Sequence, residues 1–249
     1  MLIKHLLTYT LDGYGLASLG NKTPHELTEY IMTHDFVQRP GTVFKYTNIP
    51  AFLLGLVVEK IYGETLDHIA DKEFFQPLGM QSTTFFPERL DQSLVAPTEV
   101  DKRGLVQGVV HDESAYIFKQ QGSKIVGHAG LFSNANDILT FLEMLLNYGT
   151  YNNRQYFSHA IVKEMYTNQI ADIGQSNGLG WELNQARYMG KYCSENSFGK
   201  TGFTGTVVVV DIPKGTAYTI LSNRTYPLRQ VASTDINQFR ADIGDIILE

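Results

Sequence analysis

Three short stretches bring together residue types that could do chemistry. Tyr46-Thr47-Asn48 stands just ahead of the apolar run IPAFLLGLVV, Gly127-His128-Ala129-Gly130 brackets an imidazole with glycines, and SFGKTGFTG at 197–205 sets Lys200 among three glycines ahead of TVVVVDI. The last is the most unusual. Glycine at a strand entry costs backbone entropy and offers nothing to pack, so such a run implies that something approaches the backbone closely, beside a lysine. Each stretch also has a plainer reading. Asn48 is a residue type that caps helices and Tyr46 suits a core, the glycines around His128 suit a turn, and Lys200 suits a solvated strand end. Taken singly, none of them requires a site.

The elements that must carry these stretches are legible in outline. Thr23-Pro24-His25-Glu26 is a helix start, with threonine as N-cap, proline in the first helical position and glutamate three after the cap, and ELTEYIMTH continues it. A nearly all-apolar helix is predicted over 50–62 and a shorter one around LDHIADKEFF, stopped by QPLGM. Further helices are predicted over 137–147, near 159–168 and from 231 to 248. Strands come late: 206–212 and 216–223 form a hairpin through Pro213-Lys214-Gly215. Helices that segregate along the chain from an antiparallel sheet give an α+β class. One domain is expected over 1–249, with a helical lobe over roughly 1–150 and a sheet lobe over roughly 151–249.

Composition removes several function classes. A hydrophobic fraction of 43% with 18% charged residues describes a chain that buries a core, without low-complexity tracts or repeats. The formal net charge of −6 argues against a general nucleic-acid binder, which needs a basic surface to neutralise phosphates. Cys193 is the single cysteine, which excludes an internal disulfide and a multi-cysteine metal site. The seven histidines form no His-x-x-x-His pair, and His111-Asp112-Glu113 reads as a polar loop, so no metal and no cofactor are expected. The longest apolar run, AFLLGLVV at 51–58, is far short of a membrane span.

In combination the stretches are more specific than any one of them. KYTNIPAFLLGLVVEKIYG, FFQPLGMQST, VHDESAY, GHAGLFSNANDILTF, GLGWEL, KTGFTGTVVVVD and LSNRTYP, in that order, resemble the serine β-lactamase and penicillin-binding protein superfamily. The likeness is to the class C-like branch that includes esterases and D-alanyl-D-alanine carboxypeptidases, and it spans nearly the whole chain from HLLTYT at 5–10 onward. It implies a β-lactamase/transpeptidase-like fold, an antiparallel sheet flanked by helices beside a helical lobe. Members carry a Ser-x-x-Lys helix turn, a Tyr-x-Asn loop and a Lys-Thr-Gly strand.

The resemblance assigns roles residue by residue. Tyr46 shuttles a proton to or from the attacking or leaving group, most usefully where cations lower its pKa. Asn48 hydrogen-bonds the substrate amide. Lys200 supplies positive charge to Tyr46 and to a substrate carboxylate, and the Thr201 hydroxyl binds that carboxylate. Gly202 lets the substrate backbone lie close, and the Phe203 amide forms half of an oxyanion hole. The implied substrate is a small molecule or a peptidoglycan peptide.

The first family element has no counterpart here. Its place precedes HLLTYT, hence lies before Met1, and two local substitutes fail. Ser197-Phe198-Gly199-Lys200 spells Ser-x-x-Lys, but in extended chain positions three apart point to opposite faces. Gly174-Gln175-Ser176-Asn177-Gly178 fits a Gly-x-Ser-x-Gly elbow, yet no helix pattern follows it and no histidine follows His159. The chain is therefore expected to be the C-terminal majority of a penicillin-recognising serine hydrolase, inactive alone. The alternative is a non-catalytic module that binds D-Ala-D-Ala-like peptides or β-lactams. An N-terminally shortened member would leave the 216–223 strand as an open edge, a site for aggregation. Location follows the same fork: cytoplasmic if Met1 is the true start, cell envelope for full-length relatives.

Overall fold

The computed structural model describes residues 1–13, 22–122, 124–229 and 236–249. Helix α1 (Ile3–Leu7) is followed by α2 (Pro24–Met32), whose start is the predicted capping box: Glu26 N–H donates to Thr23 Oγ1 and the Glu26 carboxylate accepts from Thr23 N–H at 2.7 Å. The apolar run becomes α3 (Asn48–Tyr62), closed by Gly63 at φ 71°, where glycine avoids the left-handed penalty. LDHIADKEFF forms α4 (Leu66–Ala70), a π-helical turn over 71–75 and α5 (Gln76–Leu78), stopped at Gly79.

Two small hairpins add strands that periodicity did not reveal. These are β1 (Glu99–Asp101) with β2 (Gly104–Val106), and β3 (Thr150–Tyr151) with β4 (Arg154–Gln155). Between them lie α6 (Glu113–Gly122) and α7 (Ala135–Leu146). The C-terminal part holds α8 (His159–Met165), β5 (Glu182–Leu183), α9 (Ala186–Met189), β6 (Ser197–Thr201), β7 (Val207–Asp211), β8 (Thr216–Ile220) and α10 (Ile236–Leu248). The predicted hairpin is β7–β8. Residues 231–235 of the expected closing helix lie outside the described residues.

Strands β5-β6-β7-β8 make one antiparallel sheet, in register from Ser197↔Asp211 to Thr201↔Val207 and from Val207↔Ile220 to Asp211↔Thr216. Both faces are covered. Val210 and Phe198 pack with Leu142 and Leu145 of α7, while Val207, Val209 and Tyr218 pack with Tyr188, Met189 and the α10 residue Leu248. A run of four valines, unbroken by polar residues, is what a strand buried on both sides requires. Among the described residues β8 is an outer strand of this sheet.

A second core joins α2, α3 and α6 through Leu27, Ile31, Ile49, Phe52 and Phe118. The loop carrying Gly127 presses flat on α3. A Cβ on Gly127 would strike the Ala51 carbonyl, and one on Gly55 would come within 3.2 Å of the Gly127 nitrogen. Facing glycines thus let His128 approach α3, and the 127–130 stretch is a turn, bridged at Val126↔Ala129.

Candidate active site

Tyr46 and Lys200 arrive from opposite ends of the chain and meet. Lys45 N–H donates to the Tyr9 carbonyl at 2.9 Å and Gly41 N–H to that of Thr10 at 2.8 Å, which lays the 41–46 loop along 8–10. This brings the Tyr9 and Tyr46 rings to 4.8 Å. On β6, Ser197 and Gly199 face Met189 of α9, whereas Phe198 joins the α7 side. Lys200, two along from Phe198, shares that side, and its Nζ lies 4.3 Å from the centroid of the Tyr9 ring and 4.9 Å from that of Tyr46.

The ammonium is sparsely partnered. Glu182 Oε1 on β5 is 3.7 Å from Lys200 Nζ, an ion pair too long for a hydrogen bond, and Nζ is sealed from solvent without a hydrogen-bond partner. Burial lowers the Lys200 pKa despite the opposing pull of Glu182. Glu182 is shared with Arg187, at 2.9 Å. Desolvation first, then the charges of Glu182 and Asp112, push the Tyr46 phenol above its ordinary value. Tyr46 is 58% exposed, and the condition of a cation-lowered phenol is not met in this arrangement.

Asn48 does not cap α3. Thr47 holds the N-cap position without a side-chain cap bond, and Asn48 is the first helical residue. Its Nδ2 instead donates to Asp112 Oδ2 at 3.3 Å. Asp112 Oδ1 accepts from Ser114 Oγ at 2.6 Å and Ala115 N–H at 2.9 Å, and lies 3.3 Å from His128 Nε2. Burial alone would raise the Asp112 carboxyl, but the bonds from His128, Ser114 and Ala115 outweigh it and hold the group well below the usual carboxylate range.

The Lys-Thr-Gly stretch ends a strand rather than opening one: β6 stops at Thr201, and Gly202 and Phe203 lie in the connection to β7. Arg240 of α10, 3% exposed, donates to the carbonyls of Gly202 at 3.0 Å and Thr206 at 2.8 Å, and Arg224 Nε to that of Phe203 at 3.1 Å. The Phe203 amide has no partner among the described residues. The Phe203 ring, 54% exposed, sits 5.6 Å from His111 and 5.0 Å from the Arg229 guanidinium, which itself bonds Glu99 and Glu113.

The structure therefore brings Tyr46 and Lys200 into direct contact, ties Asn48 to Asp112, and sets Phe203 against the neighbouring His111. Sequence reasoning gave no role to Tyr9, Asp112, Ser114, Glu182 or Arg240 and set His128 beside a plain turn reading. A signal existed for all but Arg240, since HLLTYT, VHDESAY, GHAG and GLGWEL stood among the quoted stretches, but their pairing is tertiary. Tyr9 also carries an unusual φ of 55°, invisible to pattern reading. Both decoy serines are placed away from nucleophilic chemistry. Ser197 is fully buried on the opposite face of β6 from Lys200, and Ser176 is exposed in a loop with no strand before it or helix after it. Among the described residues no cluster of metal-ligating side chains occurs, and no helix is long and apolar enough to cross a membrane.

Comparison with known proteins gives a consistent picture. The family model described as Beta-lactamase matches residues 1–242. A proposed D-alanyl-D-alanine carboxypeptidase of Escherichia coli O157:H7 is 34% identical over 207 residues, covering 76% of this chain and 46% of that protein. The chain spans about half the length of the curated relatives it matches. Among solved structures, EstCE1, a hydrolase with promiscuous acyltransferase activity, superposes with a TM-score of 0.69 at 19% identity, over 100% of this chain and 72% of that one. A beta-lactamase from Mycobacterium bovis, Mb2281c, gives a TM-score of 0.65 at 19% identity, over 99% and 72%. These structural matches carry the β-lactamase/transpeptidase-like, α+β fold.

Proposed function

The chain belongs to the Beta-lactamase family, and on that premise we propose that residues 1–249 form the substrate-binding and proton-handling part of a serine hydrolase site for D-Ala-D-Ala-like peptides or β-lactams. One observation carries the reading: a buried ammonium, Lys200 Nζ, without a hydrogen-bond partner, beside the exposed phenol of Tyr46. An unsatisfied buried cation is costly, and a ligand carboxylate would satisfy it with a charge-assisted bond. Thr201 lies next to it on β6, and the unpartnered Phe203 amide stands two residues further on, where a carbonyl oxygen would develop charge.

In this reading Tyr46, with its raised pKa, is a protonated phenol at neutral pH, suited to giving a proton to a departing amine. Removing a proton from a nucleophile would need a further cation nearby. The covalent step itself takes a serine from a Ser-x-x-Lys helix turn. Neither Ser197 nor Ser176 has the geometry for it, so these residues alone bind without forming an acyl-enzyme.

The test is intact-mass spectrometry of the folded chain after incubation with a fluorescent penicillin and, separately, a fluorophosphonate. The expected result is no adduct, with saturable reversible binding of the penicillin that Lys200→Ala abolishes. A stoichiometric adduct would place a nucleophile within 1–249 and overturn the reading. Absence of any penicillin or peptide binding by the folded protein would remove the recognition role. Supplying a relative's Ser-x-x-Lys segment in trans is then expected to raise acylation by orders of magnitude.

A further inference from the structure

Arg240 of α10 is a buried charge that makes no hydrogen bond to an opposite charge. Among the described residues every hydrogen bond of its guanidinium goes to a neutral oxygen: Nε donates to the Gly205 carbonyl at 3.3 Å, Nη2 to those of Gly202 at 3.0 Å and Thr206 at 2.8 Å, and Nη1 to the Asn237 carboxamide oxygen at 2.8 Å. With the residue 3% exposed, such burial is costly, and methionine would fill much of the volume without that cost. What an apolar side chain cannot supply is the planar fork of donors.

The three backbone carbonyls belong to one tight connection between β6 and β7. Gly202 N–H donates to the Thr206 carbonyl at 2.8 Å, and Gly205 N–H to the Gly202 carbonyl at 3.1 Å. A Cβ on Gly202 would strike Thr206 Oγ1, and Gly205 stands at φ 112°, so glycine is required at both ends of this closure. The Gly202 and Thr206 carbonyls each accept twice, once from within the connection and once from Arg240, which uses both lone pairs.

Covalent geometry turns this grip into a direction. The Gly202–Phe203 peptide is trans, so its C=O and N–H point to opposite sides of the chain. Its carbonyl points at Arg240, and the Phe203 N–H therefore leaves on the side away from α10. That helix packs on the sheet face of Val207 and Val209, whereas Lys200 belongs to the Phe198 face. The following carbonyl, that of Phe203, is held separately by Arg224 Nε at 3.1 Å.

We propose that Arg240 is a positioning residue: by gripping the Gly202–Phe203 peptide from behind, it holds the unpartnered Phe203 N–H in place for the oxygen of an attacked carbonyl. The inference rests on the reading of that amide as an oxyanion donor and adds what keeps it there. A donor that does not reorganise as charge develops stabilises that charge more than a mobile one does.

The test begins without ligand, by 15N relaxation of the full chain. Order parameters of about 0.85 are expected for the Phe203 and Gly205 amides, as for rigid backbone, although both lie outside any strand. In Arg240→Met they are expected to fall toward about 0.6 while Val209 on β7 keeps its value, which shows that the sheet persists. Arg240→Lys keeps the charge without the fork, is expected to fall between the two, and serves where the methionine variant does not fold. Low order parameters in the native chain, or values unaltered in a folded Arg240 variant, overturn the inference.

A ligand arm reads the donor itself. Benzylpenicillin is titrated into the native chain and the Phe203 amide proton is followed. It is expected to move downfield on saturation as it gains an acceptor, and in Arg240→Met that shift is expected to be lost while penicillin still binds. An equal shift in a variant that binds overturns the positioning role, and so does penicillin bound to the native chain without a shift at Phe203. Failure of the native chain to bind penicillin removes the functional reading, while the relaxation measurement still decides whether Arg240 holds the connection.

Discussion

The two halves of the site are built on opposite principles. At the Asn48 corner the central carboxylate is matched: it accepts from a hydroxyl and a backbone amide on one oxygen, and from a carboxamide on the other. At the Lys200 corner an ammonium rests against two ring faces, with its carboxylate neighbour 3.7 Å away and no hydrogen bond made. The Asp112 carboxylate is satisfied in the absence of ligand and the Lys200 ammonium is not. Satisfied networks rigidify, whereas an unsatisfied buried cation holds binding free energy in reserve for an anion. On the proposed function, the difference puts stability at one pole and recognition at the other.

The largest expected effect comes from the Asp112 corner. Asp112→Ala removes the α6 cap and leaves the His128 and Asn48 donors without their acceptor, costing about 3 kcal/mol, or roughly 10 °C in Tm, by thermal unfolding followed with circular dichroism. A loss no larger than that of an ordinary surface substitution would contradict the network. Lys200→Met should act the other way round. Folding stability is expected to hold or rise slightly, because methionine fills the same volume without a buried charge. Affinity for a carboxylate ligand should fall by about 2 kcal/mol, roughly thirtyfold, by calorimetric titration.

The corners should also titrate at opposite ends of the pH scale. The Asp112 carboxyl is held below its unfolded value, so its contribution is complete above pH about 4 and fades as pH falls through the folded pKa. Lys200 is lowered in the folded state, so the unfolded chain binds more protons between the folded pKa and about 10.4, and stability should rise with pH across that window. Urea unfolding over a pH series checks both: Asp112→Asn flattens the acid fall and Lys200→Met flattens the alkaline rise. The smallest effect is expected from Tyr9→Leu, which removes one ring face from the ammonium at a cost of about 0.5–1 kcal/mol, read by the same urea unfolding.

How much of this was legible in the chain differs by element. The capping box at Thr23, the apolar α3 and the β7–β8 hairpin follow from local rules, since capping, periodicity and turn residues act within a few positions. Tyr46, Asn48 and Lys200 were visible as residue types, and resemblance gave them an order. Two points were decided by contacts distant in the chain. Asn48 was open to a capping role, but its side chain spends its donor on Asp112, 64 positions away. Tyr46 was expected to serve best where cations lower its pKa, but desolvation and the charges of Glu182 and Asp112 raise it.

By itself the sequence determined the class of fold, the family and the three residue types around which a site is built, because these depend on composition, periodicity and ordered motifs. Tertiary structure alone decided which groups are satisfied. Tyr9 reaches Lys200 through a left-handed turn, His128 reaches Asp112 because facing glycines let a loop lie on α3, and Arg240 gathers the Gly202 and Thr206 carbonyls of the β6–β7 connection. Hydrogen-bond saturation and burial are properties of pairs distant in the chain. No window of sequence contains both partners.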